Sequence, residues 1–197
     1  MKILLLSGGI DSTALATWMR PDIAYTIDYG QLAAEGELRA ATTICEILKL
    51  KHRVLRVDCG SLGSGDLSRN PSSEYAPTTD WWPFRNQLLI TLSGMAALQD
   101  GGTELWLGSV ASDRAHSDGS EAFYRGISRL MRRQIGGLRV RGPAVHLSTL
   151  ELIDQSGISP EILAWCHSCH TGPFACGTCR GCTKRREIFE GSEKLAY

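Results

Sequence analysis

The chain has 197 residues, 21 Lys and Arg against 21 Asp and Glu, and 43% hydrophobic residues. That length supports one domain with a core of its own and at most a small appendage. A formal charge of zero supplies no global field for nucleic acid or a membrane surface. No apolar run reaches the roughly 18 residues of a membrane span, and the run after Lys2 is too short for a signal-peptide core, so a cytoplasmic location is expected.

Residues 2–6 predict a buried strand, followed by a helix from about Ser12 to Met19. Residues 23–30 form a second strand, and 32–50 a helix with Leu38, Ala41, Ile44, Cys45 and Leu48 on one face. A third strand is predicted at 52–60. Residues 61–81 have no periodicity and read as a functional or mobile loop, or as a disordered insertion. Trp81 and Trp82 at its end either stack on a purine-like ring or pack, and packing is preferred. Helices at 85–99 and 121–135 flank a fourth strand at 103–110, and 138–147 ends in another strand. Residues 148–157 have a capping Ser148 or Thr149 and a closing Gly157. Ser159 caps a further helix, with Pro160 in its first position, and 183–190 is a last short helix. Alternating strands and helices predict an α/β fold: a parallel sheet of about five strands covered on both faces.

The stretch Ser7-Gly8-Gly9-Ile10-Asp11-Ser12-Thr13 lies between the first strand and first helix, at the sheet edge where such folds hold ligands. Gly8 and Gly9 allow a tight turn whose N–H groups converge on one anion. Ser7, Ser12 and Thr13 add hydroxyls, and the helix start adds partial positive charge. The anion is a phosphate or pyrophosphate. Asp11 beside it either meets the phosphates through a Mg²⁺ ion or caps the helix.

Five of the seven cysteines, Cys166, Cys169, Cys176, Cys179 and Cys182, lie between positions 166 and 182. Such clustering points to a metal rather than a disulfide framework. Cys176, Cys179 and Cys182 with one more ligand make a closed structural zinc site, with an iron–sulfur cluster as the alternative. Cys169, Cys166, His167 and His170 are near enough to complete it.

The pattern Ser-Gly-Gly-x-Asp-Ser after an N-terminal strand resembles the PP-loop ATP pyrophosphatases, which transfer AMP to an oxygen and release pyrophosphate. Nearly end to end, the chain is similar to their 7-cyano-7-deazaguanine synthase family. The quoted matches are 27–31 (IDYGQ), 83–97 (PFRNQLLITLSGMAA), 107–123, and 168–182 with its SCHTG and CGTCRGC. The resemblance implies a Rossmann-like domain over 1–160 and a zinc-knuckle segment over 161–197, packed on the same domain. It implies that Ser7, Gly8, Gly9, Asp11, Ser12, Thr13, Asp28 and Gly30 bind ATP. Tyr29, Gln31, Phe84, His116 and Phe123 fall in the substrate region, and Arg85, Asn86 and Asp118 carry the reaction. Cys169, Cys176, Cys179 and Cys182 become the zinc ligands, which leaves Cys166 as a buried apolar residue.

The implied reaction adenylates 7-carboxy-7-deazaguanine with Mg-ATP, then passes the acyl group to ammonia to give an amide and, with a second ATP, the nitrile. Bottom-up alternatives remain for several residues: Arg85 as a surface or capping arginine, Asn86 as a cap, Asp28 as a turn residue before Gly30. Either Asp118 or His116 is the proton carrier. The chain departs from the family in the substrate loop, where His116-Ser117-Asp118-Gly119-Ser120 replaces a pattern near Tyr-Pro-Asp-Cys-Arg, and at Phe84, which replaces a glycine. A defence-operon relative that joins the activated deazaguanine to a protein amine is therefore an alternative. Six arginines from Arg125 to Arg141, with no acid between them, either face a macromolecular partner or form a solvated helix face. A tRNA-modifying PP-loop enzyme would want a more basic surface. A non-catalytic zinc module would not need the intact loop. The family is often homodimeric.

Overall fold

A computed structural model describes residues 1–191; the last six residues of the 161–197 segment lie outside the described residues. Five strands, β1 (Lys2–Leu5), β2 (Ile23–Asp28), β3 (Lys51–Arg56), β4 (Glu104–Trp106) and β5 (Arg139–Arg141), form one sheet in the order β3-β2-β1-β4-β5. All four pairings are parallel, with Ile3 opposite Ile23 on one side and Leu105 on the other. The expected α/β architecture is thus present.

Side chains alternate across the sheet. Leu4, Leu6, Ala24 and Trp106 face a layer made by α1 (Ile10–Met19), α2 (Ala34–Leu48) and α5 (Thr149–Ser156). Ile3, Tyr25, Leu105 and Val140 face α3 (Arg85–Asp100) and α4 (Glu121–Met131). Helix α2 buries Ala41, Ile44, Cys45 and Leu48. Helices α6 (Pro160–Ala164) and α7 (Arg180–Glu190) close the first layer through Leu163 and Ile188.

Strands β1, β2, β3 and β4 stop at Leu5, Asp28, Arg56 and Trp106, each earlier than its sequence pattern, and the residues beyond them belong to the loops that follow. Residues 138–147 hold β5 near their start and end in turns rather than strand. Helix α4 stops at Met131, with Gly136 (φ 94°) and Gly137 (φ 60°) bending the chain beyond it. Helix α1 begins at Ile10 and α7 at Arg180, each earlier than expected.

The loop at 61–81 is packed rather than loose. It holds two 3₁₀ turns, Gly60–Leu62 and Gly65–Leu67, and Asn70 Nδ2 donates to the Gly60 and Gly63 carbonyls at 3.1 and 3.0 Å. Leu67 and Trp82 are buried with Ile27 and Tyr29. The Trp82 and Tyr29 rings meet edge to face at 4.9 Å. Trp82→Ala should lower stability by about 3 kcal/mol or more in urea unfolding; a change below about 0.5 kcal/mol would show that the loop is not part of the core.

Candidate active site

The C-terminal ends of β1, β2 and β4 and the N-termini of α1 and α3 enclose a cleft of about 310 Å³. It sits where the connections from β1 and β4 run in opposite directions across the sheet, the position at which open α/β sheets hold ligands. Its lining includes Ser7, Gly9, Asp11, Ser12, Tyr29, Arg85, Asn86 and His116 from the sequence expectation.

The loop after β1 is shaped by its two glycines in different ways. Gly8 has φ 75°, and a Cβ there would meet Ala40 Cβ at 2.8 Å and the Ala41 nitrogen at 2.9 Å, so the turn rests directly on α2. Gly8 therefore supports the loop from behind, while Gly9 faces the cleft. Ser7 Oγ accepts from the Gly9 N–H at 3.3 Å and lies 3.2 Å from Ser12 Oγ. Thr13 Oγ1 donates to the Gly9 carbonyl at 2.8 Å and is fully buried, which makes it a brace of the turn. Gly108, which the sequence did not single out, lets β4 approach: a Cβ there would lie 2.9 Å from the Ser12 nitrogen and Cα.

Asp11 does not cap α1; Gly9 is the cap residue and has no side-chain cap. Its carboxylate accepts from Thr149 Oγ1 at 2.7 Å and from Lys184 Nζ at 2.9 Å. Lys184 also reaches Asp113 Oδ1 at 3.4 Å. Burial raises the Asp11 carboxyl above its ordinary range, and Lys184 opposes that rise. Thr149 and Lys184 lie 138 and 173 chain positions from Asp11, and Asp113 is likewise remote in the chain, so no local spacing marked them.

On the facing wall, Arg85 and Asn86 open α3. Burial works against the Arg85 charge, but Tyr29, Asp118, Asp80 and Glu37 around it favour the cation and leave its affinity for the proton raised. Burial raises the Tyr29 and Glu37 acidities' thresholds alike, so both stay protonated more readily than usual. Asn86 is tied to Asp118: its backbone N–H donates to Asp118 Oδ2 at 3.0 Å and its Nδ2 to the Asp118 carbonyl at 2.9 Å. Asp118 thereby covers the start of α3 and is not in the cleft lining, whereas His116 is. Burial and Arg85 lower the His116 pKa.

Other expected residues, among them Gln31, Asp28, Phe84 and Phe123, are not in the cleft lining. Gln31 is buried and bridges the Tyr29 N–H (2.9 Å), the Ile27 carbonyl (3.1 Å) and Glu37 Oε2 (2.8 Å). Asp28 Oδ1 accepts from the Gly30 N–H at 3.2 Å in a turn where Gly30 has φ 94°. Phe84 has φ 54° and is 75% exposed, pointing away from the cleft lining. Phe123 packs on Tyr124 at 5.6 Å. Asp80, in contrast, is a cleft residue that the sequence reading passed over within its loop. It is 6% exposed and lies 3.0 Å from Arg180 Nη1, 3.8 Å from His116 Nε2 and 3.6 Å from His170 Nδ1. Burial opposes its charge, yet these neighbours keep its carboxyl below the usual range.

The C-terminal segment touches the loop itself: the His167 N–H donates to the Gly8 carbonyl at 2.9 Å. Beyond it, the sulfurs of Cys169, Cys176, Cys179 and Cys182 all lie within 4.8 Å of one another. Two of the separations, Cys176–Cys182 and Cys169–Cys179, are 3.9 Å. A tetrahedron with zinc–sulfur bonds of about 2.3 Å has edges of about 3.8 Å, so the set fits a single zinc ion. The Cys179 N–H and the His170 N–H donate to Cys176 and Cys179 sulfurs at 3.3 and 3.4 Å, as thiolate ligands require. A multi-iron cluster would hold its sulfurs farther apart. Cys166 is buried at the end of α6 and outside the set.

A sequence profile described as queuosine biosynthesis protein QueC matches residues 1–193. The 7-cyano-7-deazaguanine synthase of Thiobacillus denitrificans is 31% identical over 207 residues, covering 95% of this chain and 92% of that protein. That of Cellvibrio japonicus is 29% identical (95% and 92% covered), and that of Campylobacter fetus 27% identical (99% and 96% covered). With its parallel sheet, its glycine-rich loop at the ligand edge and its four-cysteine cluster all falling inside the matched span, the chain belongs to the QueC family.

Proposed function

We propose that this chain is an ATP-dependent 7-cyano-7-deazaguanine synthase. The observation that carries the reading is one cleft with the glycine-rich loop and the start of α1 on one wall and Arg85 and His116 on the other. The Gly9 region and the start of α1 hold the phosphates of ATP. Arg85 orients the carboxylate of 7-carboxy-7-deazaguanine, whose oxygen attacks the α-phosphorus as pyrophosphate leaves in line. Ammonia then attacks the acyl carbon and AMP leaves, giving the amide. The amide oxygen then attacks the α-phosphorus of a second ATP as pyrophosphate leaves, and loss of AMP and of both amide protons gives the nitrile. Mg²⁺ held through Asp11 would neutralise phosphate charge there.

His116 is the better proton acceptor of the two expected candidates. Its ring faces the cleft, and burial with Arg85 nearby favours the neutral form. Asp118 is engaged with Asn86 instead. The zinc is structural, because four thiolates leave no open coordination position. The altered 116–120 loop supports a second reading, in which the same activated acyl group is passed to a protein amine and the reaction stops at the amide.

Mass spectrometry of a reaction with Mg-ATP, 7-carboxy-7-deazaguanine and ammonium should find free 7-cyano-7-deazaguanine with AMP and pyrophosphate. AMP without free nitrile would favour the protein amine as acceptor, and the absence of AMP would refute adenylation. His116→Ala should lower kcat/KM by about 100-fold or more. At constant free ammonia, the wild-type rate should rise with pH through a midpoint below about 6.5, since the lowered pKa puts the neutral, proton-accepting form above that midpoint; H116A should lack that limb. Metal analysis should find about one zinc per chain, largely lost in Cys176→Ser; full retention of zinc in C176S would remove the cysteine set as its site.

A further inference from the structure

Resting on the ATP-dependent reading above, we propose that Lys184 is a phosphate-binding residue of the nucleotide site, delivered to it by the cysteine-bearing segment. Lys184 lines the cleft and sits on α7, whose N-cap is Cys179 and whose first turn holds Cys182. Its ammonium lies 2.9 Å from Asp11 Oδ2 and 3.4 Å from Asp113 Oδ1. An ammonium has three N–H donors, and these two contacts leave the third for a ligand.

The charge count points the same way. Two carboxylates, Asp11 and Asp113, face the loop that receives a polyphosphate. One divalent ion cannot offset both acids and the phosphates, and Lys184 is the cation bonded to both. It is held for that task from two directions. The His167 N–H ties the segment to Gly8 at 2.9 Å, and Arg185 Nη1 donates to the Cys166 carbonyl at 3.0 Å. At Gly181, three residues before Lys184, a Cβ would lie 1.9 Å from the Ser168 carbonyl oxygen, so α7 is pressed against the strand of chain that carries Cys169. The four cysteines thus fix the start of the helix that aims Lys184 at the loop.

The test is calorimetric binding of a non-hydrolysable α,β-methylene ATP with Mg²⁺ to the wild-type protein and to Lys184→Met and Lys184→Arg, each checked for zinc content and melting temperature. The expected result is nucleotide binding weakened about tenfold or more in K184M, a raised Mg²⁺ requirement, and recovery of most of the affinity in K184R, with zinc content unchanged. Where K184M alone folds poorly because Asp11 is left buried without its partner, the Asp11→Asn/Lys184→Met pair removes that strain. Its binding compared with Asp11→Asn then isolates the lysine. Binding by K184M or by the paired variant equal to its reference would overturn the proposal for Lys184 while leaving the adenylation reading standing. No binding by the wild-type protein would instead strike the reading itself.

Discussion

Asp11 is a part-buried carboxylate in the first turn of α1, and a charge drawn out of water is costly unless it is paired and hydrogen-bonded. Its partners, Thr149 on α5 and Lys184 on α7, come from the far end of the chain. Removing Lys184 takes away the cation paired with Asp11, and removing Thr149 takes away a hydrogen bond to it. This constraint ties the C-terminal third of the protein to the glycine-rich loop. It accounts for the packing of α5 on α1 and for the placement of α7 along the cleft.

A second constraint is steric. Gly8 backs onto α2 with no room for a Cβ, and Gly108 lies against Ser12 in the same way. The loop is thereby clamped between α2 behind and the end of β4 beside it. A loop held in this way suits the proposed adenylyl transfer, because donors already in place need little reorganisation as charge develops.

The fold was legible because buried parallel strands are continuous apolar runs and covering helices have one apolar face. The loop was legible as a tight strand-to-helix turn because Ser7 to Thr13 are adjacent in the chain. The cysteines were legible because tetrahedral zinc needs four sulfurs and the chain supplies them within a short span. Lys184, Asp80, Thr149 and Gly108 were not, since each matters through a contact made across many chain positions. Among expected residues, Gln31 and Asp28 belong to the turn that positions Tyr29 rather than to the cleft wall. A motif match records that such positions matter, and only the hydrogen-bond partners say how.

Phe84 illustrates the limit of that inference. A bulky residue at the position of a family glycine is expected to reshape the pocket. Instead the backbone takes a left-handed angle at Phe84 (φ 54°), a conformation easy for glycine and strained for phenylalanine, and leaves the ring 75% exposed. That angle precedes Arg85 and Asn86 at the first turn of α3, where both line the cleft. The backbone conformation, not the side chain, is what this position contributes to the site.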